Sequence, residues 1–196
     1  VVGAGHGPLR RAGDAMSRGL LLLLSFLLMA AAPSGWELVG SASHAYRVSV
    51  DRDTVKSGRK SVRLSSTRQS DGFGTLMQTI QADRYRGERI QLTAWVRAEA
   101  VESWAGLWMR IDDDAGQTLT FDNMQDRSIR GTADWQQVSV VLDVAEEAEV
   151  ISFGMLLSGE GTVWVDGITF EPVGRDVPLT GRAARRPAGP QNLSFD

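Results

Sequence analysis

The sequence predicts an all-β chain folded as an antiparallel sandwich, and three observations carry that prediction. Ten short runs rich in β-branched and aromatic residues follow one another from Trp36 to Glu171. Between them stand Lys56-Ser-Gly58, Ser70-Asp-Gly72, Arg86-Gly87, Asp112-Asp-Asp-Ala-Gly116 and Ser158-Gly-Glu-Gly161, which supply the glycine, aspartate and serine that tight turns need. No stretch of this body keeps apolar residues at helical spacing over the ~12 residues that a packed helix needs. Many short strands in sequence with no helices between them close into a sandwich or barrel.

The strands, in order, are expected at Trp36–Gly40, Tyr46–Val50, Ser61–Ser66, Phe73–Ile80, Arg89–Ala98, Trp104–Asp112, Thr118–Phe121, Trp135–Val144, Val150–Leu157 and Thr162–Glu171. Ala145–Glu149 has room for one helical turn. Side chains alternate between the two faces of a strand, so the parity of the apolar residues assigns each face. Ile90, Leu92, Ala94 and Val96 form one core row, and Ala105, Leu107, Met109 and Ile111 another. Val138, Val140 and Leu142, then Ile151, Phe153, Met155 and Leu157, supply two more. In the last strand the apolar positions change parity around Gly167, which marks an irregularity there. Asp166, inside that apolar strand, has to be hydrogen-bonded, ion-paired or on a metal, because an unpaired buried carboxylate is costly.

The opposite rows hold the candidate site. If Arg89–Ala98 and Trp104–Asp112 pair as neighbours, Trp95, Trp104 and Trp108 share the non-core face with Arg97 and Arg110. Indole rings give flat apolar surface and guanidinium gives directed donors, the composition of a ligand-binding platform. The competing arrangement is that loops or the terminal tail cover this face and turn the tryptophans into a second small core. Asp122, Asn123, Gln125, Asp126 and Arg127 crowd the following loop. That density suits recognition of hydroxyl groups, or it serves the loop's own backbone through Asx turns.

Composition narrows the chemistry. The chain has 196 residues, 42% hydrophobic and 23% charged, with a net charge of -3, which suits one folded domain and not a basic surface built to hold nucleic acid. The absence of cysteine excludes disulfides, thiol nucleophiles and thiolate metal sites. Met16-Ser-Arg18, the 13-residue apolar run Leu20–Ala32 and Pro33-Ser34-Gly35 read as a secretory signal cleaved after Ala32 or Ser34. Such a run is short of the ~20 residues that span a bilayer, so membrane contact is expected only through an uncleaved signal. Removing residues 1–34 leaves 18 basic and 23 acidic side chains and one histidine, His44. Nothing around His44 forms a nucleophile elbow or an oriented base, so a Ser-His-Asp triad and a zinc site are both disfavoured.

Four strings carry a resemblance: Phe73-Gly-Thr-Leu-Met-Gln78, Leu92-Thr-Ala-Trp-Val-Arg97, Asp134-Trp-Gln-Gln-Val-Ser-Val-Val-Leu-Asp143, and Phe153 through Asp166 ending in Val-Trp-Val-Asp. Their order is similar to that of the carbohydrate-binding-module-like, galactose-binding jelly rolls, over about residues 35–173. The strings around Trp104–Ile111 and Phe121–Arg127 look like an uncharacterised bacterial subgroup whose members are sometimes labelled transcriptional regulators, although no helix-turn-helix pattern is visible here. The resemblance implies a jelly-roll fold and is weak on ligand. Its members often open with an Asn-Leu-x-Phe-Glu strand that helps hold a structural calcium. That string is missing before Trp36, and Asn192-Leu-Ser-Phe-Asp196 stands at the other end. Asp166 is the residue through which a structural calcium is expected to be held; no other cofactor is expected.

The expectations are therefore a leader and signal peptide at 1–34, a jelly-roll β-sandwich at 35–173, and a Pro/Gly/Arg-rich tail at 174–196, whose segment 192–196 either docks back as a terminal strand, is a frayed tail or begins a second module. The function expected is that of a secreted or periplasmic, non-catalytic module binding a polysaccharide or glycan through Trp95, Arg97, Trp104, Trp108, Arg110, Asp122, Asn123 and Gln125. The alternative is a structural or protein-interaction domain. Glycoside hydrolysis would need two carboxylates set about 5 to 10 Å apart across a cleft; Asp122, Glu160 and Asp166 are nominally available.

Overall fold

The structure, a computed structural model, describes Val1, Gly3 and residues 32–183. The expected signal segment and the terminal strand at 192–196 lie outside the described residues. Ten strands make up the body: β1 (Glu37–Val39), β2 (Tyr46–Asp51), β3 (Ser61–Ser66), β4 (Phe73–Gln81), β5 (Arg89–Asp113), β6 (Thr118–Asp122), β7 (Ile129–Asp143), β8 (Ala148–Ser158), β9 (Thr162–Val173) and β10 (Arg182–Ala183). Every strand pair is antiparallel. Two single-turn 3-10 segments, Ser43–Ala45 and Gln125–Arg127, are the helical elements among the described residues.

β5 determines the architecture. Its first half, 89–101, lies between β9 and β7, and its second half, 104–113, lies between β8 and β6. One sheet therefore runs β2-β3-β9-β5-β7 and the other β1-β4-β8-β5-β6-β10, with β5 passing from one to the other. The two runs at 89–98 and 104–112, expected to be separate neighbouring strands, form one continuous strand. The segment between them, Ala98-Glu-Ala-Val-Glu-Ser-Trp104, has no glycine, proline or asparagine to close a hairpin. The inward row is even-numbered before the crossing and odd-numbered after it, so one residue must be absorbed. Register shifts between Ala98 and Ala105 absorb it, with Ala100 at φ 50°.

The core lies between the sheets. Ile90, Leu92, Ala94, Val96, Leu64, Val163 and Val140 from the first sheet face Leu76, Leu107, Met109, Ile111, Ile151 and Met155 from the second, all buried. An aromatic chain closes one side: Trp36 meets Phe153 edge-on at 5.7 Å, Phe153 stacks on Phe170 at 4.9 Å, and Phe170 meets Tyr85 edge-on at 5.1 Å. The irregularity expected in β9 falls at Gly167, φ 57°, where the inward row passes from Val163 and Val165 to Ile168 and Phe170.

The chain does not leave the sandwich at 173. Arg89 Nη1 donates to the carbonyls of Arg175 and Val177, at 2.9 and 2.6 Å. Thr180 exchanges bonds with Val141, its N–H donating at 3.0 Å and its Oγ1 accepting at 2.7 Å. β10 then pairs Arg182 with Phe121 and Ala183 with Thr120, covering the free edge of β6. The apolar content of 174–183 is low and its backbone bonds are made to distant residues, which is why composition reads it as a linker.

Candidate functional site

The outer face of the second sheet carries a groove of about 300 Å³. β5 supplies Trp108 and Arg110, β4 supplies Phe73, Thr75 and Met77, β8 supplies Leu156, and the end of β6 supplies Phe121 and Asn123. Alternation builds this set. The inward residues Leu107, Met109 and Ile111 force Trp108 and Arg110 outward, and Phe121 lies directly opposite Arg110 in the ladder.

Trp108 is the floor and not an exposed platform, at 7% exposed. Its Nε1–H donates to Thr75 Oγ1 at 2.7 Å, and the Thr75 hydroxyl donates to the Met155 carbonyl at 2.9 Å. Between Trp108 and β4 lies Gly154, the ladder partner of both Trp108 and Met77. A Cβ there would fall within 1.9 Å of the Leu76 carbonyl oxygen, so the close approach of β4 and β8 requires glycine. The aromatic ring that meets solvent is that of Phe121, 39% exposed.

Arg110 is the charged member of the lining. Its Nε donates to Asp112 Oδ2 at 2.8 Å, and Asp112 Oδ1 accepts from Thr118 Oγ1 at 2.9 Å. Asp112 thus orients the guanidinium along the sheet. Asn123 forms an Asx turn, its Oδ1 accepting the Gln125 N–H at 3.1 Å. The backbone of Asn123 and Met124 lies over Gly106, where a Cβ would come within 2.6 Å of the Asn123 carbonyl oxygen.

The other expected site residues are distributed elsewhere. Trp104 lies on the same outer row as Trp108, half-buried at the crossing end of β5. Trp95 and Arg97 belong to the first sheet, so they do not share a face with Trp104 and Trp108. That correction follows directly from β5 being one strand that changes sheets. There Lys56 Nζ sits 4.2 Å over the Trp95 ring, and Arg63 and Arg97 flank Trp164 at 5.5 and 5.9 Å. Trp164 Nε1 donates to Asp51 Oδ2 at 2.8 Å.

Asp122 is turned inward, opposite Met109, and its oxygens are taken by Arg127 Nη2 at 2.5 Å and Nη1 at 3.1 Å and by the Met124 N–H at 2.8 Å. It holds the loop that walls the groove. Burial works against its charge, but the bonds from Arg127, Thr180 and the Met124 N–H outweigh burial and hold the carboxyl below its ordinary range. Gln125 is exposed outside the groove.

Asp166 Oδ2 accepts two backbone N–H groups, from Lys56 at 2.8 Å and Ser57 at 2.9 Å, and so closes the β2–β3 loop. No group of three or more His, Asp or Glu that could hold a metal occurs among the described residues. Amide donors already aimed at the carboxylate are a poor fit to a calcium ion, which needs six to eight oxygens.

A larger cavity, about 450 Å³, opens at the sandwich side, lined by Trp36, Phe153 and Phe170 with inward residues such as Val62 and Val165. Its walls are the core itself. Two of its polar members are committed, Gln78 to the Gly35 carbonyl and Asp166 to its loop. The outer-face groove, where aromatic surface and uncommitted donors converge, is the better candidate site. Phe73, Thr75 and Met77 escape a sequence reading because β4 reaches Trp108 only through β8. For Phe121 the signal was present, since a residue opposite Arg110 must share its face.

Comparison with known proteins follows this geometry. No family model matches the chain. It is 43% identical over 166 residues to a Bacillus subtilis protein named an uncharacterized HTH-type transcriptional regulator, a match covering 83% of this chain and 56% of that protein. Among solved structures, the xylan-binding CBM22-1 domain of Paenibacillus barcinonensis Xyn10C superposes with a TM-score of 0.52 at 12% identity, over 74% of this chain and 90% of that one. The enzymatically active domain of the bacteriophage CBA120 tailspike protein 4 superposes with a TM-score of 0.54 at 16% identity, over 71% of this chain and 20% of that one. The chain spans about half the length of its sequence relative and a fifth of the tailspike domain, and at these identities the solved structures establish fold alone. The chain has the antiparallel β-sandwich fold of the carbohydrate-binding modules.

Proposed function

We propose that this protein is a non-catalytic binding module that takes a carbohydrate in the groove on the outer face of the second sheet. One observation carries the reading: the exposed ring of Phe121 and the indole floor of Trp108 stand beside the guanidinium of Arg110 in a groove of about 300 Å³. A sugar ring presents apolar C–H faces that pack on aromatic rings and equatorial oxygens that accept directed donors. The groove lining contains no aspartate or glutamate, so the pair of carboxylates that glycoside hydrolysis requires does not line it. The fold shared with carbohydrate-binding modules supports the same reading. A glycan array probed with the full chain, followed by calorimetry on the hits, tests it. Binding that is lost in Phe121→Ala is expected, and an array without a saturable hit overturns it.

We infer export for the same chain from its sequence, because the basic start, apolar run and small-residue exit of 16–34 match a secretory signal. The Bacillus relative favours a second reading, in which the sandwich is the ligand-binding part of a transcriptional regulator. The two readings require different compartments. N-terminal sequencing of the protein from fractionated cells separates them: a chain beginning near Pro33 or Gly35 outside the cytoplasm supports export, and a full-length cytoplasmic chain supports the regulator.

A further inference from the structure

We propose that the sugar this groove selects is an acidic one, a hexuronate, whose carboxylate is held by the free fork of Arg110. The inference rests on the carbohydrate reading of the groove and specifies its ligand class.

The groove offers more free donors than free acceptors. Arg110 spends its Nε on Asp112, and its two terminal nitrogens have no partner among the described residues. Its side chain is 46% exposed while that of Asp112 is 9% exposed, so the paired carboxylate lies beneath and the fork faces out. Asn123 uses its oxygen to accept the Gln125 N–H, and its NH₂ has no partner among the described residues. Ser41, which also lines the groove, uses its Oγ to accept the Phe73 N–H at 3.2 Å, and its proton has no partner among the described residues. Thr75 is engaged in both directions, accepting from Trp108 and donating to the Met155 carbonyl.

The uncommitted polar side chains of the groove are therefore donors: a guanidinium fork, an amide and a hydroxyl. The side-chain oxygens of Ser41, Thr75 and Asn123 each already accept one hydrogen bond, and no carboxylate lines the groove. A neutral sugar hydroxyl offers the guanidinium fork one uncharged acceptor at a time and no charge to pair with it. A carboxylate brings acceptors only. Its two oxygens match the spacing of the guanidinium fork, and the charge-assisted pair is stronger than a neutral bond. Asp112 meets Arg110 at Nε and takes Thr118 on its other oxygen, so its bonds leave the two terminal nitrogens of the fork unused.

The test is calorimetric titration of the full chain at low ionic strength with α-1,4-tetragalacturonate and β-1,4-tetramannuronate. Each is compared with its own methyl ester, which keeps the ring and removes the charge. A neutral set of xylohexaose and galactotriose is run alongside. The expected result is that at least one acid binds about tenfold or more tighter than its ester. Arg110→Gln should abolish that difference in a chain that still unfolds cooperatively, and Arg110→Lys, which keeps charge without the fork, should retain only part of it. Acid and ester binding equally, or neutral sugars alone binding, overturns the acidic-sugar inference and leaves the carbohydrate reading standing. No sugar of either kind binding overturns both. An acid preference that persists in Arg110→Gln overturns the assignment to Arg110.

Discussion

The Nε1–H of Trp108 donates to Oγ1 of Thr75 at 2.7 Å, reaching over β8 from β5 to β4. This bond locks the indole as the floor of the groove and ties three strands of one sheet face together. Both partners are buried, so neither can exchange the other for water.

Thr75→Val keeps the shape of the threonine and removes its hydroxyl. It leaves the buried indole N–H without an acceptor and the Met155 carbonyl without that donor. Chemical denaturation should show a loss of about 1 to 3 kcal/mol. An unchanged midpoint would mean that the indole N–H is not buried as described.

Phe121→Ala separates binding from stability. The ring is 39% exposed, so its removal should cost only about 1 kcal/mol of unfolding free energy, less than emptying a fully packed site. Glycan affinity should fall by about 1 to 3 kcal/mol, the loss typical of one aromatic anchor. Trp108→Ala should instead weaken both, since it empties a packed site. Calorimetry and denaturation on the two variants make the comparison.

Ala100 sits at φ 50° where β5 changes sheets. Its side chain is exposed, so Ala100→Gly removes strain without opening a cavity and should stabilise the protein by roughly 1 kcal/mol. Thermal unfolding reads this directly, and a lower melting temperature would show that the crossing does not use a left-handed residue.

Acid should loosen the β6–β7 region. Asp122, despite its burial, and Asp143, through its bond to Arg89, are both held below their ordinary carboxyl range. A depressed folded-state value means the contribution is complete above the unfolded value of about 4 and is lost as the pH falls below it. Asp122→Asn should cost about 1.5 to 3 kcal/mol at neutral pH and flatten the acid limb of the stability profile. Denaturation measured between pH 2 and 7 on both proteins checks the slope.

Much of the fold was legible because parity is a local signal. The rows Ile90 to Val96 and Ala105 to Ile111 point inward as their alternation requires, and the Gly167 irregularity follows from the change of parity around it. The continuity of β5 was not legible. A change of parity between two apolar rows is produced equally by a hairpin and by a bulge, and only the partners β7, β8 and β9 decide between them. The candidate site suffered from the same ambiguity, since assigning Trp95 to the face of Trp108 depended on pairing two halves of one strand. The loop 122–127 was read as either ligand-binding or self-satisfying. Asp122 and Asn123 do close Asx turns, while Asn123 also lines the groove.

The most direct test of the groove as the binding site is a ¹⁵N-correlated NMR titration with the best glycan from the array. The chain has six tryptophans, so each indole N–H reports on its own surroundings. The account predicts that the Trp108 indole and the Phe121 amide shift progressively and saturably, while the Trp95 and Trp164 indoles on the opposite sheet stay fixed. Saturable shifts at Trp95 and Trp164 with Trp108 and Phe121 unmoved would contradict it.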